Sequence, residues 1–592
     1  MSLPFNFKNY SWSIARNDLI AGATVAAIAV PQAIAYALIA GVDPRFGLYS
    51  AIIITIVASI LGSSSHLING PTNAISLVVF SALASFDGQF DAYQALFLLG
   101  ITVGIIQILI AVFKLGDLTR YVSESVILGF MAGAGFLIAL GQIGNFVGAA
   151  KKGKGDQSVL TQTWQTLTTG WPFNFYAIGL GVGTIVVVLL LRQLINKYPK
   201  LPRIDMLAGL ILASIVAAYF GWSIPHSNGK TIVSVVGTVP AALPGFHIPQ
   251  FSFEWFHRLI TGALAISFLG LLEALAVAKS ISTYTRQPLD YNRQCLAEGV
   301  GNLVGGFFQA LPGSGSLTRS AINYQAGAIT RASGIYSGVI VAIVVLLGGP
   351  YARFIPKSAL AGLLFITAYR LIDWKRLAYA LRASRFDAIL VAVTALSAVF
   401  ISVDNSILIG VALSIILFVP RASKPGIREL IVTPERVVRE RQDGEVRAKS
   451  LLIYDLEGEL FFGAAPEVDR YLTEILDETD RTGIKYVVLR LRRTRNPDVV
   501  AVEHLEHFLH EAHKRSVTVL LAGLKPDFVK ILNNVRLTSW FPADQIFPEE
   551  DEIFSATLRA VRHAYHLINK DAQPEGIEAI PVNEKEPSYY LV

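Results

Sequence analysis

The sequence predicts a polytopic all-α membrane protein of fourteen transmembrane segments, followed by a small soluble α/β domain. Three observations carry this. Of the 592 residues 53% are hydrophobic and only 16% are charged, whereas soluble globular chains carry about 25% charged residues. Apolar runs long enough to approach the roughly 30 Å hydrocarbon core of a bilayer recur from Leu19 to Pro420 and then stop. Beyond them, short β-rich runs alternate with amphipathic helical ones, the pattern of an α/β unit.

In chain order, residues 1–17 form a polar and aromatic N-terminal segment without the short apolar run and small-residue cleavage site of a signal peptide, so the first apolar run is expected to stay in the mature protein. The fourteen apolar segments fall at 19–39, 46–62, 71–86, 92–113, 125–147, 173–193, 204–221, 259–281, 293–309, 316–330, 334–348, 355–371, 385–402 and 404–420. An even number places both termini on one side. That side then collects Arg192, Lys197, Lys200, Arg203, Lys279, Arg286, Arg293, Arg370, Lys375, Arg376, Arg382 and Arg385, against Lys151, Lys152, Lys154, Lys230, Arg353 and Lys357 opposite. The basic-rich side is expected to be cytoplasmic, which puts the protein in the cell's inner (cytoplasmic) membrane with cytoplasmic termini. The net charge of +6 is explained by this loop bias; no basic stripe interleaved with aromatics points to nucleic acid. A lone Cys295 excludes an internal disulfide and a cysteine metal cluster.

Two segments are broken. Leu311–Asn323 runs Leu-Pro-Gly-Ser-Gly-Ser-Leu-Thr-Arg-Ser-Ala-Ile-Asn: Pro312, Gly313 and Gly315 interrupt a helix, Ser314, Ser316 or Thr318 cap a new one, and Arg319 lies one turn inside it. Gly70-Pro-Thr-Asn73 opens a second short run in the same way, with Pro71 expected at the first helical position. Gly70 and Gly315 stand 245 residues apart (70 to 315), and the same offset carries the start of the first span into the eighth. Interrupted segments at corresponding places in two halves point to the midplane site of an inverted-repeat transporter; the alternative is that Gly and Pro are simply common in membrane helices. Unpaired N–H groups at helix N-termini, with hydroxyls and a guanidinium beside them, suit an anion.

Residues 421–449 are charged and read as a linker. The soluble domain, 450–570, follows as a hairpin (Ser450–Leu456 with Glu459–Gly463), a helix from Pro466 to Asp480, a strand from Ile484, a helix from Ala501 to Lys514, a strand from Val517, and helices over 527–535 and 553–567. Residues 571–592 are polar and read as a loose tail.

The stretch Asp18–Ala37 with Gly41–Ser50 resembles the first-helix signature of the sulfate permease (SulP) anion transporters. Gly70-Pro-Thr resembles that family's third-helix start, Gly315–Asn323 its tenth, and the unit containing Leu456-Glu-Gly-Glu-Leu-Phe-Phe-Gly463 its STAS domain. The resemblance covers nearly the whole chain in family order. It implies a seven-plus-seven inverted repeat, split into a core of about 18–120 and 257–350 and a gate of about 121–222 and 351–420. It further implies a homodimer and elevator-like alternating access, with substrate between the N-termini of half-helices three and ten.

Candidate substrate ligands are Thr72, Asn73 and Ala74 from one half-helix and Ser316, Leu317, Thr318 and Arg319 from the other; capping without a ligand is the alternative for the hydroxyls and N–H groups. An arginine at the centre of a membrane helix costs at least ~2.5–3.5 kcal/mol and needs compensation, from an anion, from a structural salt bridge to a neighbouring acid, or by snorkelling toward an interface. Gln32 and Tyr36 share one face of the first helix, which by the resemblance looks into the site. Glu273, the acid of the eighth run, carries the coupling proton, helps to bind a cation, or pairs with Arg319 or Lys279. Soluble STAS proteins of anti-sigma switches are phosphorylated after the third strand; Val499 and Val500 stand there, so that switch is not expected. Arg490, Arg492, Arg493 and Arg495 form a basic face open to lipid headgroups, an acidic soluble partner of the STAS domain, or solvent. His504, His507 and His510 recur at helical spacing without a metal pattern. No Walker motif, dinucleotide fingerprint or nucleophile elbow occurs, so neither an enzyme nor a cofactor is expected.

The expected function is secondary active transport of a small inorganic oxyanion, sulfate foremost, with proton coupling. Sodium-coupled uptake of bicarbonate, nitrate or a dicarboxylate is the rival within transport. A membrane scaffold recruiting partners through its STAS domain is the rival from another class.

Overall fold

The computed structural model describes residues 10–86, 88–115, 123–149, 157–198, 204–225, 231–433, 437–442, 445, 450–549, 555–572 and 590–591. Two compact units emerge, Met1–Ser414 and Ile415–Val592.

The first unit is helical: α1 (Trp12–Ile39), α2 (Pro44–Leu61), the two-residue strand β1 (Asn69–Gly70), α3 (Asn73–Leu83), α4 (Gln89–Val112), α5 (Glu124–Val147), α6 (Val159–Thr169), α7 (Phe175–Lys197), α8 (Asp205–Tyr219), α9 (Phe253–Thr285), α10 (Tyr291–Phe307), the strand β2 (Ser314–Gly315), α11 (Leu317–Gln325), α12 (Ala332–Gly348), α13 (Lys357–Leu371), α14 (Trp374–Ala383) and α15 (Arg385–Phe400), closing with α16 (Val403–Ala422), which runs on into the second unit. Each apolar segment of the sequence lies on one of these helices. Eight of them, α1, α2, α4, α5, α7, α9, α12 and α16, are long and apolar enough to cross a membrane. The half-helices α3 and α11, of 11 and 9 residues, reach only about 16 and 14 Å at the α-helical rise of 1.5 Å per residue. Two helices escape an apolar scan because they are amphipathic: α6 is rich in Thr and Gln, and α14 carries Lys375, Arg376 and Arg382. The first helix begins at Trp12, inside the segment expected to precede it, because Ser11 caps it by accepting from Ile14 N–H at 3.4 Å.

Packing divides the helices into two sets. In one, α10 packs on α4 and α2, α1 on α12 and α2, and α9 on α3 and α4. In the other, α5 packs on α15 and α13, and α7 on α13 and α8. The α4–α10 seam depends on Gly104 and Gly299: a Cβ at Gly104 would lie 2.4 Å from the Leu303 backbone nitrogen, and one at Gly299 2.7 Å from that of Ile108. Small residues let membrane helices approach this closely.

The second unit holds a seven-stranded sheet of β3 (Gly426–Val432), β4 (Val437–Glu440), β5 (Leu452–Glu459), β6 (Tyr486–Arg495), β7 (Thr518–Leu524), β8 (Ile546–Pro548) and β9 (Tyr590–Leu591), in the spatial order β8-β7-β6-β5-β3-β4-β9. Helices α17 (Ala465–Thr482), α18 (Val499–Lys514) and α19 (Pro526–Asn534) bury Leu472, Phe508 and Phe528 in the apolar core on one face, and α20 (Ser555–Ala572) buries Ala560, Val561 and Ala564 on the other. The expected hairpin at 450–463 is one strand, β5, followed by a turn. Its antiparallel partner is β3, from the stretch read as a linker. That stretch reads as unstructured because of its charges, which the fold spends on cross-strand ion pairs: Arg428 with Glu440 at 2.9 Å and Glu457 at 3.1 Å, and Arg441 with Glu429 at 2.9 Å. Most of the expected loose tail lies outside the described residues; Tyr590 and Leu591 pair in parallel with Val437 and Val438.

Candidate functional site

The site grows from the crossing of β1 and β2. These strands pair antiparallel, Asn69 opposite Gly315 and Gly70 opposite Ser314, and each leads directly into a half-helix. Thr72 caps α3 by accepting from Ile75 N–H at 3.4 Å, and Ser316 caps α11 by accepting from Arg319 N–H at 3.4 Å. Pro71 is therefore not the first helical residue: Thr72 is extended, at φ −122° and ψ 156°, and the helix starts after it. Among Ser314, Ser316 and Thr318, Ser316 is the cap.

Arg319 is wholly buried. Its Nη2 donates to the Pro71 carbonyl at 2.9 Å, while Nε and Nη1 have no protein partner. The guanidinium lies against Gly70, where a Cβ would stand 3.0 Å from Nη1; φ of +136° independently reserves this position for glycine. Glu273 bridges the two halves, accepting from Thr72 Oγ1 at 3.3 Å and Ser314 Oγ at 3.4 Å. It forms no ion pair with Arg319 or Lys279, so the salt-bridge alternative does not describe the structure.

The remaining expected ligands are placed unevenly. Ser316 N–H is already used, donating to the Ile68 carbonyl at 2.9 Å, because the chain there continues the strand crossing. Leu317 is 61% exposed and Thr318 is exposed. Asn73 is half-buried and its Oδ1 accepts from Ala74 N–H at 3.0 Å, which takes up that N–H locally. Gln32 is buried, with Nε2 4.0 Å from Met206 Sδ and Oε1 without a partner. Tyr36 is buried, and its hydroxyl is in electrostatic reach of Arg319, Glu273 and Arg370.

Sequence reasoning missed the face of α10 that holds the crossing in place. Gln294, Glu298 and Asn302, four apart and all buried, line it. Gln294 Oε1 accepts from Ser63 N–H at 3.0 Å, Glu298 Oε1 accepts from Asn69 Nδ2 at 2.8 Å, and Asn302 both donates to Gly313 O at 3.0 Å and accepts from Gly313 N–H at 2.8 Å. The signal was present: three polar residues at i, i+4 and i+8 within an otherwise small and apolar run. Asp18 was also missed as a tether; it accepts from Ile329 N–H at 2.7 Å, Thr330 N–H at 3.0 Å and Thr330 Oγ1 at 2.6 Å. An apolar cavity of about 330 Å³, lined by Val30, Ile34, Leu210, Ile215 and Val344 among others, includes none of these groups.

In the soluble unit the basic face is largely paired internally. Arg490 meets Asp455 at 2.7 Å, Arg492 meets Glu549 at 2.8 Å, and Arg493 meets Glu457 at 3.3 Å. Burial lifts the Asp455 carboxyl above the usual carboxylate range and lowers the Arg490 guanidinium. His504 faces Asp469 at 2.9 Å and His510 stacks on Trp540.

A helical membrane unit in which two half-helices diverge from a strand crossing, followed by a mostly parallel α/β unit, defines a membrane transporter with a C-terminal STAS domain. The chain belongs to the sulfate permease family: that family's model matches residues 16–394, and the STAS domain model matches residues 441–553. It is 29% identical over 561 residues to the sodium-independent sulfate anion transporter of Bos taurus, covering 89% of this chain and 87% of that one. Its fold is similar to that of the murine Solute Carrier 26 family member A9 anion transporter in the inward-facing state, with a TM-score of 0.82, 18% identity and coverage of 94% of this chain and 93% of that one. It is also similar to the transmembrane domain of a cyanobacterial bicarbonate transporter, BicA, with a TM-score of 0.58, 24% identity and coverage of 69% and 98%. Proteins of this family are multi-pass membrane transporters and not enzymes.

Proposed function

We propose that this protein carries out secondary active transport of a small inorganic oxyanion, sulfate foremost, by elevator-type alternating access coupled to protons. One observation carries the reading: a buried arginine with two unpartnered guanidinium nitrogens beside the N-termini of two half-helices. A buried cation without a carboxylate partner is costly until an anion arrives. The helix ends add partial positive charge, and Leu317 and Thr318 N–H have no backbone acceptor. Thr72, Asn73, Ala74, Ser316, Gln32 and Tyr36 complete the proposed shell. The sulfate preference draws support from the name of the bovine relative.

Glu273 is assigned the coupling proton. Its hydrogen bonds from Thr72 and Ser314 tie the carboxyl to both halves of the site, so a change in its charge acts where the anion sits. The fourteen helices that carry the apolar segments are assigned as fourteen spans in a seven-plus-seven inverted repeat, with core about 18–120 and 257–350, gate about 121–222 and 351–420, and the STAS domain over 450–570. The antiparallel pairing of β1 with β2 at corresponding places in the two halves, and the two packing sets of helices, support that division. A homodimer, cytoplasmic termini in the inner membrane and a soluble partner for the STAS domain belong to the same proposal.

The test is uptake of labelled sulfate, bicarbonate, nitrate and dicarboxylates into proteoliposomes holding the full chain, with and without proton or sodium gradients. Sulfate uptake driven by an inward proton gradient supports the proposal. Sodium-driven bicarbonate uptake replaces it with the transport rival, and movement of no anion favours the scaffold.

A further inference from the structure

We propose that Glu298 is a proton-binding site: its carboxyl is held as the neutral acid in a cyclic pair with the Asn69 amide, and it positions Arg319 through the strand crossing. Glu298 has no exposed surface. Both of its side-chain hydrogen bonds fall on one oxygen, Oε1, from Asn69 Nδ2 at 2.8 Å and from Gln294 Nε2 at 3.0 Å. The other oxygen, Oε2, is buried with no donor, and so is Oδ1 of the same Asn69. Both orphaned oxygens are acceptors unless the acid carries its proton, and the proposed pair sets them edge to edge beside the observed Nδ2–Oε1 bond. A proton on Oε2 donating to Oδ1 closes the ring and satisfies both atoms. Leaving two bare acceptors together in a dry interior is costly, as is an ionised carboxylate without a counter-charge.

The surroundings agree. Among the described residues no Lys or Arg forms an ion pair with Glu298. From the elements around it, α4 presents Gln107 to the neighbouring Asn302 at 3.0 Å, α2 presents Thr55, which donates to the Asn69 carbonyl at 2.6 Å, and α9 presents Glu273, a like charge. From α11, Arg319 donates past Gly70 to the Pro71 carbonyl. Glu298 is thus a positioning residue: it holds Asn69, whose neighbour Gly70 forms the surface against which the Arg319 guanidinium rests. Loss of the proton sets acceptor against acceptor at the crossing and displaces that surface.

The Gln variant separates this role from that of a carboxylate, because its amide N–H stands where the proton is placed. In full-length protein, Glu298→Gln is expected to keep uptake within about twofold of the parent and to remove the loss of uptake at high pH that persists in Glu273→Gln, whereas Glu298→Ala loses at least about tenfold by leaving Asn69 unpaired. The protonated-carboxyl carbonyl stretch in the infrared spectrum should lose its Glu298 component in Glu298→Gln; this arm needs no transported anion and survives if the Ala variant does not fold. The uptake arm rests on the transport reading, so immobility of every anion counts against that reading, while an infrared spectrum unchanged by Glu298→Gln counts against Glu298. The proposal is overturned by that unchanged spectrum, by a Gln variant as damaged as the Ala variant, or by sodium-dependent stabilisation lost in Glu298→Gln, which would make the two oxygens cation ligands.

Discussion

Arg319 and Arg490 are the same residue in two opposite situations. Both are buried. Arg490, on the interior strand β6, meets the Asp455 carboxylate at 2.7 Å. Arg319, at the start of a half-helix, meets one carbonyl and leaves Nε and Nη1 without a protein partner. A soluble domain that buries an arginine for architecture supplies a carboxylate with it. Arg490 has a carboxylate and Arg319 has none, and it is on this contrast that the proposed anion site at Arg319 rests.

Two substitutions cross-examine this contrast. Arg490→Ala leaves Asp455 with only the half-exposed Arg493 at 3.7 Å and is expected to destabilise the soluble unit by up to about 3–5 kcal/mol, the usual cost of breaking a buried pair, read as a lower unfolding midpoint of the full-length protein. Arg319→Ala is expected to lower anion uptake by roughly a hundredfold or more, from the 2–5 kcal/mol lost when one partner of a buried charged contact is removed, while membrane insertion and unfolding midpoint stay near the parent's. A stability loss at Arg319 as large as that at Arg490 would make both arginines structural. A smaller effect is expected from Glu273→Gln: uptake persists but no longer responds to the proton gradient, and an unchanged pH profile in a folded variant removes Glu273 from coupling.

The smallest effect concerns a half-buried pair in the soluble unit. Hydrogen bonds from Arg439, and then from Gln442 N–H, hold the Glu445 carboxyl down at about 2, from an ordinary value of 4.5. A depressed carboxyl contributes stability that is present above its unfolded value and is lost as the pH falls through the folded one. Acidification from pH 5 toward 2 should therefore cost the parent slightly more than Glu445→Gln, as measured by unfolding midpoint across that window.

Much of this was legible before any coordinates. The apolar segments marked the helices because a bilayer enforces length and hydrophobicity at once. Arg319 and Glu273 stood out as charges inside such segments. Glu298 did not, although it is equally an acid in an apolar run, because its meaning depends on Asn69, which lies 229 residues away in sequence. The strands at 426–432 and 437–440 were hidden for the opposite reason: their charges read as solvent exposure until Arg428, Glu440 and Glu457 are seen facing one another across the sheet. Sequence periodicity reports which surface a residue prefers, and not which partner waits there.

The β1–β2 ladder has a mechanical meaning. Tied backbone to backbone, the two half-helix starts form one rigid bracket, so neither can shift without dragging the other. In the proposed elevator cycle, an anion held there would travel with an unaltered coordination shell, and its dissociation constant would be set once, by the bracket, for both faces of the membrane. On that proposal, any difference in affinity between the two sides would come from what lies opposite the bracket or from the proposed coupling ion.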